Sequence, residues 1–276
     1  LAAAATIYGF VAMDSCERVK VAPKGKKKKY QVQEVPETGI LFMVIMAVAL
    51  IVRYIAAAKY FGNETDMNCF IAWGDMVFKD GIGNFYSSDS FTDYPPGYMY
   101  ILYMVGAIRH VLGVAWNSTL SVMLTKTPAI IADLATAYLL FRIAGKRWTQ
   151  KGAGILTAIY LFAPAVLLDG AIWGQTDAVF TFFVVLMIYL VTERKLIPSY
   201  FVFAVAVLVK PQSLIFTPVL IYGIIDQVFL DGFDWKNFWK NLGLGLAAIA
   251  MIALLMLPFG FKDALSQYTE TLASYK

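Results

Sequence analysis

The sequence predicts an all-α polytopic membrane protein, on three observations. Hydrophobic residues make up 59% of the 276, with a mean hydropathy of +0.64, against roughly 45–50% apolar residues in a soluble domain. They gather into long apolar runs of the kind that cross a bilayer, separated by polar breaks. The cations sit in those breaks, so the net charge of +4 reads as membrane topology and argues against a nucleic-acid partner.

The amino-terminal part is read in two pieces. Residues 1–13 are apolar but short of the ~20 residues a crossing needs, and are expected to be the tail of a span. Residues 14–38 carry the GKKKK run and read as a basic cytoplasmic linker. The chain opens on Leu1 and stops at Lys276 within a polar stretch, so it reads as a piece of a longer protein. Cys16 and Cys69 are expected on opposite sides of the membrane, which leaves no disulfide.

Residues 39–276 read as the transmembrane module. Residues 39–61 are its first complete span, with Arg53 and Lys59 toward the far end, where they snorkel or face a polar site. An external loop, 62–117, follows. Between Gly62 and Tyr94 it holds six carboxylates (Glu64, Asp66, Asp75, Asp80, Asp89, Asp93) against one cation, Lys79. Its aromatics Trp73, Phe85, Tyr86, Phe91 and Tyr94 suit a membrane surface or a sugar ring.

The sidedness follows from the basic clusters. Arg142, Lys146, Arg147 and Lys151 form one polar break and Glu193, Arg194 and Lys195 another, both cytoplasmic by the positive-inside rule. With 39–61 running outward and 125–143 inward, residues 96–116 cannot cross; the alternative, an ordinary crossing there, would change the sidedness of everything after it. They are expected to form a juxtamembrane or re-entrant helix on the outer face, opened by Pro95 and Pro96 and carrying Arg109 and His110. The remaining spans alternate over 152–172, 178–191, 198–209, 213–225 and 242–257, and 259–276 lies outside. Residues 231–241, with Trp235, Phe238 and Trp239, read as a separate interfacial helix on the inner face.

On this topology four polar features meet at the outer face: Asp66, Asp93 in DYPPGY, Asp177 in WGQTD, and the Lys210-Pro211-Gln212 run. Lys126 and Arg109 add positive charge at that level. Carboxylates and lysines near a membrane face are costly unless paired or working. Each also has a plain structural reading. Asp66 and Asp177 suit helix starts, Asp93 suits a turn, and Lys210 can snorkel. Asp133, deep in a span, reads as a helix–helix polar contact, and the sole histidine, His110, as a satisfied interfacial residue. The Asn-Glu-Thr run at 63–65 and the Asn-Ser-Thr run at 117–119 match the glycosylation acceptor pattern, which matters only in a eukaryotic host.

The TD pair at 65–66, DYPPGY at 93–98, WGQTD at 173–177 and VKPQSLIFTP at 209–218, in this order, resemble the GT-C superfamily of membrane glycosyltransferases, nearest to its bacterial mannosyltransferase-like and protein mannosyltransferase-like branch. The resemblance covers residues 39–276. It implies a GT-C-type helix bundle with juxtamembrane helices in the first external loop. It also implies transfer of a mannose-like hexose from a polyprenyl-phosphate donor to an acceptor hydroxyl on a glycan, lipid or protein, with inversion. In that family's terms Asp66 would be the catalytic base, and Asp93 and Asp177 would assist the acceptor or a metal, either Mg²⁺ or Mn²⁺. Lys210, with Lys126, Arg109 and Gln212, would hold the donor phosphate. Gln175, Trp173 and Tyr94 would hold the sugar. The YPPGY run differs from the HPP-type signature of the protein mannosyltransferases. The expected setting is a bacterial plasma membrane with the site on the outer face, or the lumenal face of the endoplasmic reticulum in a eukaryote. The competing expectation is a transporter or lipid flippase in which Asp133, Lys126 and Lys210 form a relay.

Overall fold

The computed structural model describes residues 39–86, 92–229 and 232–274. The expectations for 1–13 and 14–38, and Cys16, Asp89 and Phe91, lie outside the described residues.

The chain is an all-α polytopic membrane protein. Its helices are α1 (Ile40–Lys59), α2 (Glu64–Lys79), α3 (Pro96–Val111), α4 (Thr119–Ala144), α5 (Gln150–Leu161), α6 (Asp177–Thr192), α7 (Leu196–Val209), α8 (Thr217–Val228), α9 (Trp235–Met256) and α10 (Phe261–Ser274). Three stretches, α1, α4 and Trp235–Phe259, are long and apolar enough to cross a membrane. A fourth is formed by α5 and Pro164–Trp173 if that pair, bent by 50°, is one span.

Local chemistry starts these helices where the sequence supplies a cap. Ser118 accepts from the Ser121 amide at α4, Thr149 from Gly152 at α5, and Asp234 from Asn237 at α9. Pro96 opens α3, where its missing N–H costs nothing.

Several boundaries differ from the sequence reading. The spans read at 178–191 and 198–209 fall on α6 and α7, apolar helices shorter than the long crossing helices, and the one read at 213–225 opens as a 3₁₀ turn over Pro211–Phe216 before α8 starts at Thr217. Residues 231–241 do not form a separate interfacial helix: Trp235 to Met256 is one continuous α9, because nothing in KNLGLG breaks it and Asp234 caps it upstream. The span read at 152–172 is interrupted after Leu161. Pro164 restarts the helix, and Leu167–Trp173 then winds as a π-helix.

The bundle has two chemically distinct ends. At one, Lys126, two turns into α4, donates to the Tyr60 carbonyl at the end of α1. The segment between α1 and α4 therefore leaves and returns at the same end, with α2 and α3 packed as a hairpin through a close Gly74–Gly106 crossing. At the other end lie Gly39, the α4–α5 turn and the α6–α7 turn. α4, with 26 residues, is about 39 Å long and sets the separation.

A polar network lies between these ends. Arg53, fully buried on α1, donates to Asp133 Oδ2 at 3.2 Å and to the Leu161 carbonyl at 2.9 Å. Tyr160 hydrogen-bonds the other Asp133 oxygen at 3.2 Å. Asp133 is thus a contact among α1, α4 and α5, and Arg53 faces that polar site.

Candidate functional site

The external loop is anchored to the end of the π-helix by close backbone approach. Gly62 has φ +99° and a side chain there would strike the Trp173 carbonyl; Gly174 has φ +91° and a Cβ would meet Met67 Sδ at 2.6 Å. Both positions need the left-handed conformation that glycine adopts without penalty.

Asn63 then caps α2, accepting from the Asp66 amide at 3.1 Å, and so fixes Asp66 in the first helical turn. Asp66 Oδ2 accepts from Trp173 Nε1 at 2.7 Å and from Gln175 Nε2 at 2.6 Å. Gln175 Oε1 in turn accepts from the Tyr94 hydroxyl at 3.2 Å. One hydrogen-bond chain joins the loop start, the DYPPGY turn and the WGQTD segment. The Trp173 ring remains 46% exposed beside it.

The charged pair sits next to this chain. Asp177, first residue of α6, is ion-paired with Lys210, which closes α7 and lies 5.6 Å from the Phe180 ring centre. Partial burial pushes the Asp93 carboxyl above its ordinary range; Asp66 adds to the rise, while a backbone hydrogen bond and Lys210 oppose it. Burial also raises the Tyr94 phenol, with Asp93, Asp177 and Asp66 all contributing. Three carboxylates therefore act on one hydroxyl. Gln212, on the 3₁₀ turn after Lys210, has a buried Oε1 with no hydrogen-bond partner among the described residues.

Several residues stand elsewhere or are otherwise engaged. Lys126 is fully buried, and its ammonium is spent on the Tyr60 and Ile172 carbonyls, each at 2.7 Å. It fastens α1 to the π-helix and is not presented to a phosphate. Arg109 pairs with Asp75 at 2.8 Å and lies over Trp116, bracing α2 against α3. His110 stacks on Phe78 and also reaches Asp75. Trp73 and Phe85 are core residues, 4% and 1% exposed, and offer no ring to a ligand. The relay of Asp133, Lys126 and Lys210 does not form, since each holds a separate local partner. No group of three or more His, Cys, Asp or Glu suited to a metal occurs among the described residues.

Two features were missed in the sequence. The Asn63 cap was legible, since an asparagine followed by acids in the next turn is a helix-start signature; the π-helix had no local signal. Between α1 and that π-helix lies a cavity of about 500 Å³ lined by Tyr60, Phe61, Asn63, Leu168, Ile172 and Trp173.

A family profile described as GPI transamidase subunit PIG-U matches residues 71–274. No curated protein matches the chain. The profile match overturns the expected activity: a transamidase subunit is neither a polyprenyl-phosphate-dependent hexosyltransferase nor a transporter or flippase. The polyprenyl-phosphate-linked sugar goes with it as a partner. The bacterial mannosyltransferase-like branch and the bacterial plasma membrane likewise have no support. Matched from α2 to the end of α10, the chain belongs to the PIG-U family of GPI transamidase subunits.

Proposed function

We propose that this chain is a non-catalytic membrane subunit that holds the glycan of a GPI lipid for a transamidase, in the endoplasmic reticulum membrane with the Asp66 end lumenal. It belongs to a subunit family of that enzyme, and its module over 39–276 keeps a GT-C-like arrangement for binding a lipid-borne sugar. The observation that carries the reading is the Asp66–Trp173–Gln175 junction. A half-exposed indole beside a carboxylate whose Oδ1 takes no hydrogen bond from the described residues is the chemistry of sugar recognition: a flat face for C–H groups and an acceptor for hydroxyls. Tyr94, Asp93 and Gln212 extend the acceptor set, and the Asp177–Lys210 pair offers an ammonium to a phosphate of the same head group. The cavity between α1 and the π-helix gives the adjoining apolar part of the lipid a place beside the junction. Asp66 on this reading orients and holds; it removes no proton.

The test is capture of GPI lipid by the assembled transamidase. Trp173→Ala should lower co-purified GPI several-fold while leaving subunit assembly intact; GPI retained at the wild-type level in an assembled Trp173→Ala complex would overturn the proposal.

A further inference from the structure

The opposite end of the bundle carries a second cavity, of about 480 Å³, between the ends of α4, α5 and α6. Its walls include Leu140, Ile143 and Leu156, and its rim holds Lys146, Arg147 and Trp148. That combination differs from a solvated basic loop. A loop that merely sets topology needs cations, but it does not need an apolar slot of ligand size beneath them.

The charges around the slot are not balanced within the chain. Lys146 is ion-paired with Glu193, and Arg142 rests against Tyr138 with its Nε buried and without a hydrogen-bond partner among the described residues. Arg147, Lys151 and Lys195 are exposed around them. Burial and the neighbouring Arg142 and Lys195 charges push the Lys146 ammonium below its ordinary range. The cluster thus carries mutual repulsion that an anion would relieve.

We propose that this cavity is a binding site for an anionic phospholipid of the facing leaflet, its head group held by Lys146 and Arg147 and the start of its acyl chain by Leu140, Ile143 and Leu156. The bilayer is the source because the slot opens at the ends of three apolar helices, one of them long enough to cross a membrane, with Trp148, an indole of the kind that settles between head groups and chains, at its rim. The site lies a helix length from the Asp66 junction and stands whether or not that junction holds a glycan.

Trp148 supplies the readout. The purified chain is placed in phosphatidylcholine nanodiscs containing phosphatidylserine, with bromine on the acyl chains of one lipid or the other. The Trp148 signal is the difference between wild type and Trp148→Phe. It should be quenched at least about twofold more by brominated phosphatidylserine. Lys146→Gln with Arg147→Gln should bring quenching by the two lipids to the same level, since each cation removed weakens binding of the anionic lipid by roughly fivefold. Equal quenching by the two lipids in the wild-type chain overturns the proposal, and this comparison decides the matter even where the double variant fails to fold. Relief of the quenching by millimolar inorganic phosphate would make a free anion the occupant and overturn the lipid assignment.

Discussion

Trp173 and Asp66 are 107 positions apart in the chain and 2.7 Å apart in space. Their contact, shared with Gln175 on the same Asp66 oxygen, turns an acidic loop and a π-helical turn into one rigid corner. An oxygen that already accepts two donors is a well-fixed anchor that leaves Oδ1 to a ligand, which agrees with a holding role.

The two roles of Asp66, structural and recognising, separate by substitution. Asp66→Asn keeps one carbonyl oxygen able to accept from both Trp173 and Gln175, so thermal stability in detergent should stay within ~0.5 kcal/mol of wild type. Asp66→Ala strips both donors of their acceptor and should cost about 1 kcal/mol, since the exposed indole N–H recovers a water. Both variants should bind GPI lipid more weakly, as a charge-assisted acceptor is lost. Equal stability losses in the two variants would show the charge, not the acceptor, to be what holds the corner.

The backbone of the same corner can be tested by a matched glycine pair. Gly174 and Gly113 both have positive φ, but a Cβ meets Met67 and Lys126 at the first and nothing within 4 Å at the second. Gly113→Ala should cost only the conformational term, ~1–2 kcal/mol. Gly174→Ala adds a steric clash and should cost distinctly more. Unfolding midpoints of the two variants, compared side by side, check the difference.

The buried pair in mid-bundle gives a larger effect. Arg53→Met leaves Asp133 buried opposite an apolar chain and should destabilise by about 3–5 kcal/mol. Adding Asp133→Leu should recover most of that loss, although the Leu161 carbonyl and Tyr160 hydroxyl lose partners. A thermodynamic cycle over the two single variants and the double variant measures the coupling; additive losses would contradict the pairing.

Asp93 predicts the sign of one pH effect. Its folded-state pKa lies above the ordinary 3.8, so the folded chain holds that proton more tightly than the unfolded chain. Its contribution to stability is greatest below the ordinary carboxylate range and is lost as pH rises through the raised value. Asp93→Asn should therefore gain on wild type in melting temperature from acidic toward neutral pH. A melting temperature of Asp93→Asn that falls relative to wild type over that interval would reverse the assignment.

What the sequence made legible was geography. Hydropathy picked out the long apolar helices α1, α4 and α9, and the order of the segments brought Asp66, Tyr94, Gln175, Asp177 and Lys210 to one end, because apolar length acts on each segment locally. Partner choice was not legible. Lys126 and Arg109 looked alike as cations at that end, yet one is consumed by two carbonyls and the other by Asp75, and neither choice is set by nearby residues. The span at 152–172 reads as one helix on hydropathy alone, which does not register the restart at Pro164. The activity was misread for a related reason: a group of acids, an indole and a lysine at one end of a helix bundle does not by itself tell a transamidase subunit from an enzyme that transfers a sugar.

That distinction between consumed and available cations makes the final prediction. Lys126 and Lys210 are both lysines at the same end of the bundle, but their surroundings demand opposite outcomes. Lys126→Met leaves the Tyr60 and Ile172 carbonyls without their shared donor in a fully buried position, and should cost about 1–3 kcal/mol. Lys210→Met removes a partner from Asp177, whose side chain is 41% exposed and can turn to water, so stability should change by no more than ~1 kcal/mol. GPI capture should reverse the order once it is normalised to folded complex: Lys210→Met loses the ammonium offered to the head-group phosphate, whereas the Lys126 ammonium was never available to it. Thermal unfolding of each variant alongside GPI co-purification reads both quantities. A stable Lys126→Met chain that no longer captures GPI would return Lys126 to the binding site and break the division drawn here.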